Sequence, residues 1–205
     1  MNMVLLNTAY FPPISYMARI KASRQVHVEQ HEHYGKQSYR NRCDILTANG
    51  VISLTVPVKK GAQLKTLTKE VQVDYDTPWQ REHFRGIESA YKKSPYYDYY
   101  IDSLHDFFER KERYLIDLNE KILQQLLELI SMERPLLRTS DYIRHPEDCP
   151  DFREVIHPKA SRRIREDDYI PKPYYQTFAE RFPFTPNLSI LDLLFNTGPE
   201  ASLFI

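Results

Sequence analysis

The stretch MVLLNTAYFPPISYMARIKASRQVHVE, residues 3–29, decides the fold. Residues 3–7 are apolar and bounded by polar residues, which is typical of a short buried strand. Pro12 and Pro13 keep the chain extended before a predicted helix over residues 16–23. Residues 25–29 alternate polar and apolar side chains, as a half-buried strand does. Strand, helix and strand at this spacing predict a right-handed βαβ unit.

The next part of the sequence predicts more strands. Asn49-Gly50 is a strong hairpin signal between residues 44–47 and 51–58. Residues 51–56 have the β-branched content of a central strand, and residues 67–75 suggest a further strand.

Helical periodicity dominates after residue 78. A helix fits residues 78–93, and Ser94-Pro95 ends it. A second long helix, either one kinked helix or two, follows from apolar residues at helical spacing: Leu104, Phe107, Phe108, Leu115, Leu118, Ile122, Leu126 and Ile130. Residues 188–196 are apolar and should pack back onto the core.

We therefore expect one α/β domain over residues 1–205. It has an N-terminal βαβ unit with a small mixed sheet, two or three helices and a C-terminal apolar segment. Residues 133–173 are charged and aperiodic, so we expect an irregular surface excursion there. Within it, residues 162–165 could form a basic phosphate clamp, but the acidic residues that follow make a solvated loop the preferred interpretation.

Composition excludes several classes of protein. The 28 basic and 28 acidic residues cancel, which argues against nucleic-acid binding. No apolar run is long enough to span a bilayer, and the N-terminus lacks a signal peptide, so we expect a cytoplasmic protein. Two cysteines, Cys43 and Cys149, do not indicate a disulfide framework. No two of the five glycines lie within ten residues of each other, so phosphate-cradling loops are absent and no cofactor is predicted.

The polar residues 27–42 are the main candidate for a functional site. If the strand continued past Glu29, then His27, Glu29, His31 and His33 would share one face and could ligate zinc or iron. Alternate positions on a straight strand are spread too far to converge on one ion, so we predict no metal. A polar strand end or a metal-free active-site wall is the simpler interpretation.

A dense set of hydrogen-bond donors follows that strand. Guanidinium groups suit phosphate or carboxylate, and tyrosine rings can stack on sugars. A solvated loop is the alternative, but ligands of open α/β sheets lie at the carboxyl ends of strands. The candidate ligand-binding residues here are Tyr34, Lys36, Gln37, Tyr39, Arg40, Asn41 and Arg42.

Weaker candidates lie in the helical half. His83 could be an acid–base group, although a single helical histidine is more often a partly buried structural residue. The tyrosines around Ser94-Pro95 could line a ligand groove or could simply pack in the core or against a partner: Tyr91, Tyr96, Tyr97, Tyr99 and Tyr100.

These residues together resemble the WbqC-like protein family. The similarity is carried by the N-terminal YFPPISY, by Asn41-Arg42, by LTVPVKK and by the closing NLSILDLLFNTGPE at residues 187–200. It also includes Trp79, His83, Tyr91, Asn119 and residues 94–97 and 175–176, and it covers most of the chain outside residues 144–172. The resemblance implies a role in bacterial O-antigen and surface-polysaccharide gene clusters, with glycine or aminoacyl transfer onto sugars as a suggested activity.

The chain departs from the family pattern in three places. Asn7, Thr8 and Ala9 replace Gln-Pro-Tyr, and Gln30 and His31 stand where the family has paired aspartates. The glycine-containing stretch SGxxGxxYL, expected between Tyr142 and Tyr174, is missing, so this is a short form whose activity could differ.

Two functional hypotheses follow. The first is a transferase acting on a sugar or nucleotide sugar, in which Arg40 and Arg42 hold an anionic group, Glu29 or Glu32 is the general base, and His31 or His83 is the reserve base. The second is a non-catalytic ligand-binding or scaffold protein of the same pathway. A concave pocket in which a carboxylate meets Arg40 or Arg42 favours the enzyme, whereas arginine side chains splayed into solvent and a flat apolar patch near residues 96–100 favour the scaffold. Homo-oligomerisation is left open.

Overall fold

A computed structural model describes residues 1–59, 66–144, 146, 149–163 and 168–205. Lys60 of the LTVPVKK motif and Arg165 of the candidate phosphate clamp lie outside the described residues. The predicted α/β class is confirmed, and its strands are divided between a three-stranded parallel sheet and a separate two-stranded hairpin.

The N-terminal βαβ unit forms as predicted. Strands β1 (Met3–Asn7) and β2 (Gln25–Glu29) pair in parallel through helix α1 (Ile14–Lys21), with Met3 opposite Gln25 and Asn7 opposite Glu29. The helix begins at Ile14 directly after the extended Pro13. Its apolar residues and those of the strands are withdrawn from water, which is the main favourable contribution to folding.

The segment 133–173 closes both edges of this sheet. Strand β5 (Leu136–Arg138) pairs in parallel with β2, so the strand order is β1-β2-β5. On the opposite edge, Asp151 bridges Leu5, whose N–H donates to the Pro150 carbonyl while its carbonyl accepts from Phe152. The described part of this segment is largely irregular, as expected, but it is not a peripheral excursion.

The Asn49-Gly50 hairpin is confirmed and lies apart from the parallel sheet. It consists of strands β3 (Arg42–Thr47) and β4 (Gly50–Thr55), and Gly50 turns the chain with a φ of 101°. Val51 and Ile52 are exposed, so β4 is an outer strand and the expectation of a central strand is wrong.

The predicted strand at residues 67–75 is also wrong. Thr68–Glu70 forms a turn of 3-10 helix, and the extended residues that follow make only isolated bridges, Gln72 with Tyr114 and Val73 with Val58. The backbone hydrogen bonds of residues 68–74 are divided among residues 30–32, residues 57–59 after the hairpin and residues 113–115, so they do not follow one neighbouring strand.

The second long helical region consists of two helices. A turn of 3-10 helix and a non-helical stretch separate them, and the predicted apolar positions lie in the core except Phe107, which is half-buried. None of the helices in the described residues is long and apolar enough to cross a membrane. The helices beyond α1 are α2 (Trp79–Tyr91), α3 (Tyr97–His105), α4 (Leu115–Leu129), α5 (Ile190–Thr197) and α6 (Ala201–Phe204).

Helix α5 returns to the N-terminal unit, as the apolar segment predicts. All of its residues are buried, and the Ser189 hydroxyl caps its first turn while donating to the Phe11 carbonyl. The Leu188 carbonyl accepts the first N–H of α1, that of Ile14. Hydrogen bonds therefore connect the N-terminal βαβ unit to the start of α5 at residues 11–14.

We expect Gly198→Ala to destabilise the protein by about 2–4 kcal/mol, because Gly198 has a φ of 57° and a Cβ there would overlap the Tyr96 ring. Gly86→Ala is the matched control, since Gly86 is helical and its Cβ would make ordinary contact, 3.4 Å from Leu54. The control should be neutral or gain up to about 1 kcal/mol. Urea unfolding measures both, and equal effects of the two substitutions would contradict the prediction.

Candidate functional site

Polar side chains converge at the carboxyl ends of the three parallel strands. Asn7 ends β1, Glu29 ends β2 and Thr139 directly follows β5, and all three are buried. Ligands of open α/β sheets bind at this end of the strands. The site that the sequence predicts after β2 therefore lies where the fold class favours a ligand.

The Glu29 carboxylate is fully buried and accepts hydrogen bonds on both oxygens. Its Oε1 accepts from the His31 N–H at 2.7 Å and from the Thr139 hydroxyl at 2.9 Å. Its Oε2 accepts from the Ile143 N–H at 3.0 Å and from Arg153 at 3.3 Å. A carboxylate has about four acceptor positions, so these bonds use its capacity. Glu29 is built to hold its surroundings in place.

A second buried pair joins Glu32 and Arg40. Arg40 donates from Nε and Nη2 to Glu32 Oε1, at 2.8 and 2.7 Å, and the side chains of Arg40 and Glu32 are 3% and 9% exposed. Burial raises the pKa of Glu32, although Arg40 opposes that rise. Asn119 on α4 donates to the Arg40 carbonyl at 2.7 Å, which fixes the arginine backbone.

Further charged groups surround these two pairs. Arg153 bonds Asp151 at 2.7 Å as well as Glu29, and Arg40 reaches the half-exposed Glu154 at 3.5 Å. Removing charges from water costs several kcal/mol per ion unless the partners are well placed. We call Glu29, Glu32, Arg40 and Arg153 the buried charge cluster.

A cleft of about 370 Å³, which we call the Tyr39–His157 cleft, is lined by neighbours of the cluster in the chain: Tyr39 precedes Arg40, and Val155 lies two residues after Arg153. The four cluster residues themselves are not in its lining. The cleft lies between the end of the polar residues 27–42, the hairpin, the described part of the segment 133–173 and the loop before α5. This volume is in the range of small-molecule sites. Its walls include Ser15, Tyr39, Asp44, His157, Arg163 and Tyr169.

His157 lines the cleft and lies within electrostatic range of Arg40 in the cluster. Burial lowers the pKa of His157, and Arg162 and Arg40 lower it further, while the Lys159 backbone and Glu154 oppose them. The imidazole is therefore neutral at pH 7. Its Nδ1 accepts the Lys159 N–H at 3.0 Å, which leaves Nε2 as the nitrogen that carries the proton.

The structure brings part of the predicted site together. Glu29, Glu32, Tyr34 and Arg40 lie at or against the buried charge cluster, and Tyr39 lines the cleft. For Tyr34, burial raises the pKa to about 12, and Arg40 opposes the rise.

Lys36 and Gln37 lie on the exposed side of this region. The Lys36 carbonyl accepts from Arg162 at 3.2 Å, and the Gln37 side chain accepts from Lys159 at 2.6 Å. Both therefore link the segment after β2 to residues 159–162. Neither contacts the buried charge cluster in the described part of the chain.

Asn41 and Arg42 belong to the base of the hairpin. Asn41 donates to the Val56 carbonyl at 2.9 Å, which is a structural contact. Arg42 begins β3 and is half-buried, and it shares a strand face with Asp44 of the cleft.

The predicted reserve bases lie apart from each other. His83 is buried on α2, where its Nδ1 is 2.9 Å from the Tyr10 hydroxyl and its ring meets the edge of Trp79. Burial lowers the pKa of His83 to about 4, with the Thr55 carbonyl opposing this shift, so it is a neutral core histidine. The His31 imidazole lies 3.3 Å from Lys69, outside the buried charge cluster.

The predicted tyrosine candidates mostly pack in the core. Tyr91 and Tyr97 each lie 5.3 Å from the Phe195 ring, between α2, α3 and α5. Tyr99 is 79% exposed, while Tyr96 and Tyr100 are half-buried.

Strand β2 ends at Glu29, so the geometry that could have aligned the histidines along one strand does not form. His33 is exposed and bridges Leu67 instead. Within the described ranges, no group of three or more histidine, cysteine or acidic residues is placed to hold a metal ion.

Sequence reasoning missed Arg153, Glu154 and His157, and it considered Arg163 only within the phosphate clamp at residues 162–165, which it ranked below a solvated loop. They lie in the segment interpreted as an excursion, which lacks helical or strand periodicity. The sequence DFREVIH at 151–157 carried the only usable signal, because the apolar Phe152, Val155 and Ile156 alternate with charged residues and are all buried.

Comparisons with known proteins agree with the motifs. The model of the WbqC-like protein family matches residues 8–157 and 157–203, which include the cluster and α5. The protein named "Uncharacterized protein Rv1507c" of Mycobacterium tuberculosis is 25% identical over 224 residues, covering 98% of this chain and 95% of that protein. No solved structure matches the chain.

We expect Arg40→Met to destabilise the protein by about 3–5 kcal/mol near pH 8, because it leaves the ionised Glu32 buried without its partner. The pKa of Glu32 is already raised in the folded state, so its contribution to stability is greatest below its unfolded pKa and falls as pH rises through the folded pKa. Loss of Arg40 raises that pKa further. The difference from wild type should therefore shrink between pH 8 and pH 5 in urea unfolding.

The double variant Arg40→Met/Glu32→Gln is the control, since it removes the uncompensated charge along with its partner. It should recover much of the lost stability at pH 8. A loss that is equal at both pH values, or that persists in the double variant, would show that the pair does not carry the energy assigned to it.

Proposed function

The chain belongs to the WbqC-like protein family, and from this premise we propose that it is a transferase of bacterial surface-polysaccharide biosynthesis. The substrate is a sugar or nucleotide sugar, and the group transferred is of the aminoacyl type. The family resemblance supports the pathway, and the geometry at the carboxyl ends of the strands supports the chemistry.

The observation that carries the proposal is the pair of buried carboxylate–guanidinium contacts beside the Tyr39–His157 cleft. Replacing buried ion pairs with apolar residues is often neutral or stabilising, so stability alone gives little reason to keep two of them. Their position next to a ligand-sized cleft at the carboxyl ends of parallel strands favours a functional role.

Within this site Glu32 is the general base. Burial raises its pKa, as a base working near neutral pH requires, and its side chain is 9% exposed. Both Arg40 bonds go to Oε1, so Oε2 is the oxygen that Arg40 does not use. The acceptor hydroxyl or amine attacks the acyl carbon, its proton passes to Glu32, and the bond from the acyl carbon to the leaving group breaks.

Glu29 and Arg40 are positioning residues in this scheme. The hydrogen bonds to both oxygens of Glu29 occupy its acceptor positions, and they fix the loops around the site. Arg40 holds Glu32 in one orientation and limits the rise of its pKa. His83 has no part in the reaction, because its contacts are with the aromatic core.

The alternative function is a non-catalytic ligand-binding or scaffold protein of the same pathway. That hypothesis places Arg40 in solvent, whereas Arg40 is buried against a carboxylate. The exposed Tyr99 is the feature that a partner-binding surface would use. The geometry around Arg40 favours the enzyme.

We expect deletion of the gene to remove a substituent from the surface glycan of the source bacterium and the wild-type gene to restore it. Glu32→Gln should fail to restore it, and the purified variant should transfer about 10²–10⁴ times more slowly, because the general base is lost. Glu88→Gln on α2 is the matched control and should behave as wild type, since its ion pair with Lys92 is exposed. Mass spectrometry of the glycan measures the result.

Two outcomes would contradict this assignment in different ways. Restoration by Glu32→Gln as complete as by wild type would favour the scaffold. An unchanged glycan in the deletion strain would remove the protein from the pathway.

A further inference from the structure

We infer that the Tyr39–His157 cleft is a binding site for a phosphate ester, in which Arg163 and Arg42 hold the phosphate oxygens. The inference names the ligand class of the site described above and rests on the proposed function for its biological meaning. The binding itself does not depend on catalysis, so it can be tested separately.

One guanidinium group, that of Arg163, lines the cleft, and a second, that of Arg42, lies on the strand face that also carries the lining residue Asp44. Arg163 donates from Nε to the His157 carbonyl at 2.9 Å, which orients the guanidinium plane. Burial raises the pKa of Tyr39 and Asp44 raises it further, while Arg163 and Arg42 oppose that rise. Both cations are therefore close enough to the Tyr39 hydroxyl to stabilise negative charge there. Planar guanidinium forks match the oxygens of a phosphate.

Two buried polar atoms at this place have no hydrogen-bond partner among the described residues. Ser15 is fully buried and forms part of the cleft wall, and its Oγ is one of these atoms. The other is Nε of Arg42. Buried polar groups are normally satisfied, and an unsatisfied one calls for an explanation such as a ligand. Phosphate oxygens are acceptors that would satisfy a hydroxyl and a guanidinium N–H together.

The remaining walls suit the uncharged part of such a ligand. Tyr39 and Tyr169 offer aromatic faces on which a sugar or a base can stack. The Asp44 carboxylate accepts a bond from the Ser53 hydroxyl, and it is an acceptor for sugar hydroxyls. Neutral His157 adds a donor at Nε2. Cations together with aromatic faces and hydrogen-bond acceptors fit a sugar phosphate or a nucleoside diphosphate.

The test is titration calorimetry on the full chain with four probes: pyrophosphate, glucose 1-phosphate, uridine diphosphate and glucose. We expect the phosphorylated probes to bind and their affinity to fall with added salt, because the contact is ionic. Glucose alone should bind much more weakly. Tighter binding of uridine diphosphate than of glucose 1-phosphate assigns the cleft to a nucleotide, and the reverse order assigns it to a sugar phosphate.

Variants place the binding in the cleft. Arg163→Met and Arg42→Met should each weaken the phosphorylated probes by about 10- to 100-fold, as expected for a lost charged hydrogen bond. Ser15→Ala should weaken them by roughly 2- to 10-fold. The matched control is Arg85→Met, which removes an exposed arginine from α2 and should leave affinity unchanged. Arg163→Lys keeps the charge without the fork and gives a second variant should Arg163→Met fail to fold.

The inference is overturned if wild type binds none of the phosphorylated probes, or if glucose binds as tightly as they do. It is also overturned if folded Arg163 and Arg42 variants bind like wild type, since the phosphate would then lie elsewhere. These results are independent of the glycan assay. A chain that needs Glu32 for the glycan but binds no phosphate would keep the proposed function and lose this site.

Discussion

The arrangement of the structure depends on the Glu29 carboxylate at the end of β2. One of its oxygens binds Thr139, which directly follows β5, and the other binds Arg153, which lies two residues after Asp151, the bridge partner of Leu5. A single side chain therefore ties together the segments that cover the two edges of the parallel sheet. Because an open strand edge in water is a liability, this clamp serves the fold as well as the site.

The same clamp explains why the buried charge cluster is where it is. Covering both edges brings Thr139 and Arg153 to the carboxyl ends of the strands, where both bond Glu29, while Glu32 is paired with Arg40 from the segment after β2. The cleft then forms between the described part of the segment 133–173, the hairpin and the loop before α5. The segments that cover the edges of the sheet therefore also supply part of the candidate site.

The sequence predicts the elements whose signal is local. The βαβ unit and the Asn49-Gly50 hairpin follow from periodicity and turn chemistry within a few residues, and both are confirmed. The apolar run 188–196 predicts the return to the core but not the helix that it forms. The segments that cover the outer edges of β1 and β2, residues 150–152 and β5, lie more than one hundred residues away in the sequence. They have no pattern of their own, so no local rule could identify them. The wrong strand at 67–75 has the same cause, since its alternation is real but no continuous neighbour exists.

The site follows a similar division. Glu29, Glu32 and Arg40 could be named because they follow a recognisable strand. His83, Tyr91 and Tyr97 carry chemistry by residue type, yet each packs in an aromatic core, and residue type does not reveal burial. Arg153, His157 and Arg163 act through contacts across the fold, which only the assembled chain displays.

The long reach of these contacts bears on how the molecule matures. Glu29 and Arg153 are separated by 124 positions in the sequence, and Leu5 pairs with residues 150–152. Pairings of such sequence separation are slow, since loop closure must be completed before they contribute. During synthesis the N-terminal unit emerges with both sheet edges bare and Glu29 without Arg153. A chain interrupted before residue 150 would keep the Glu32–Arg40 pair but would lack Arg153, together with His157 and Arg163 and hence one wall of the cleft.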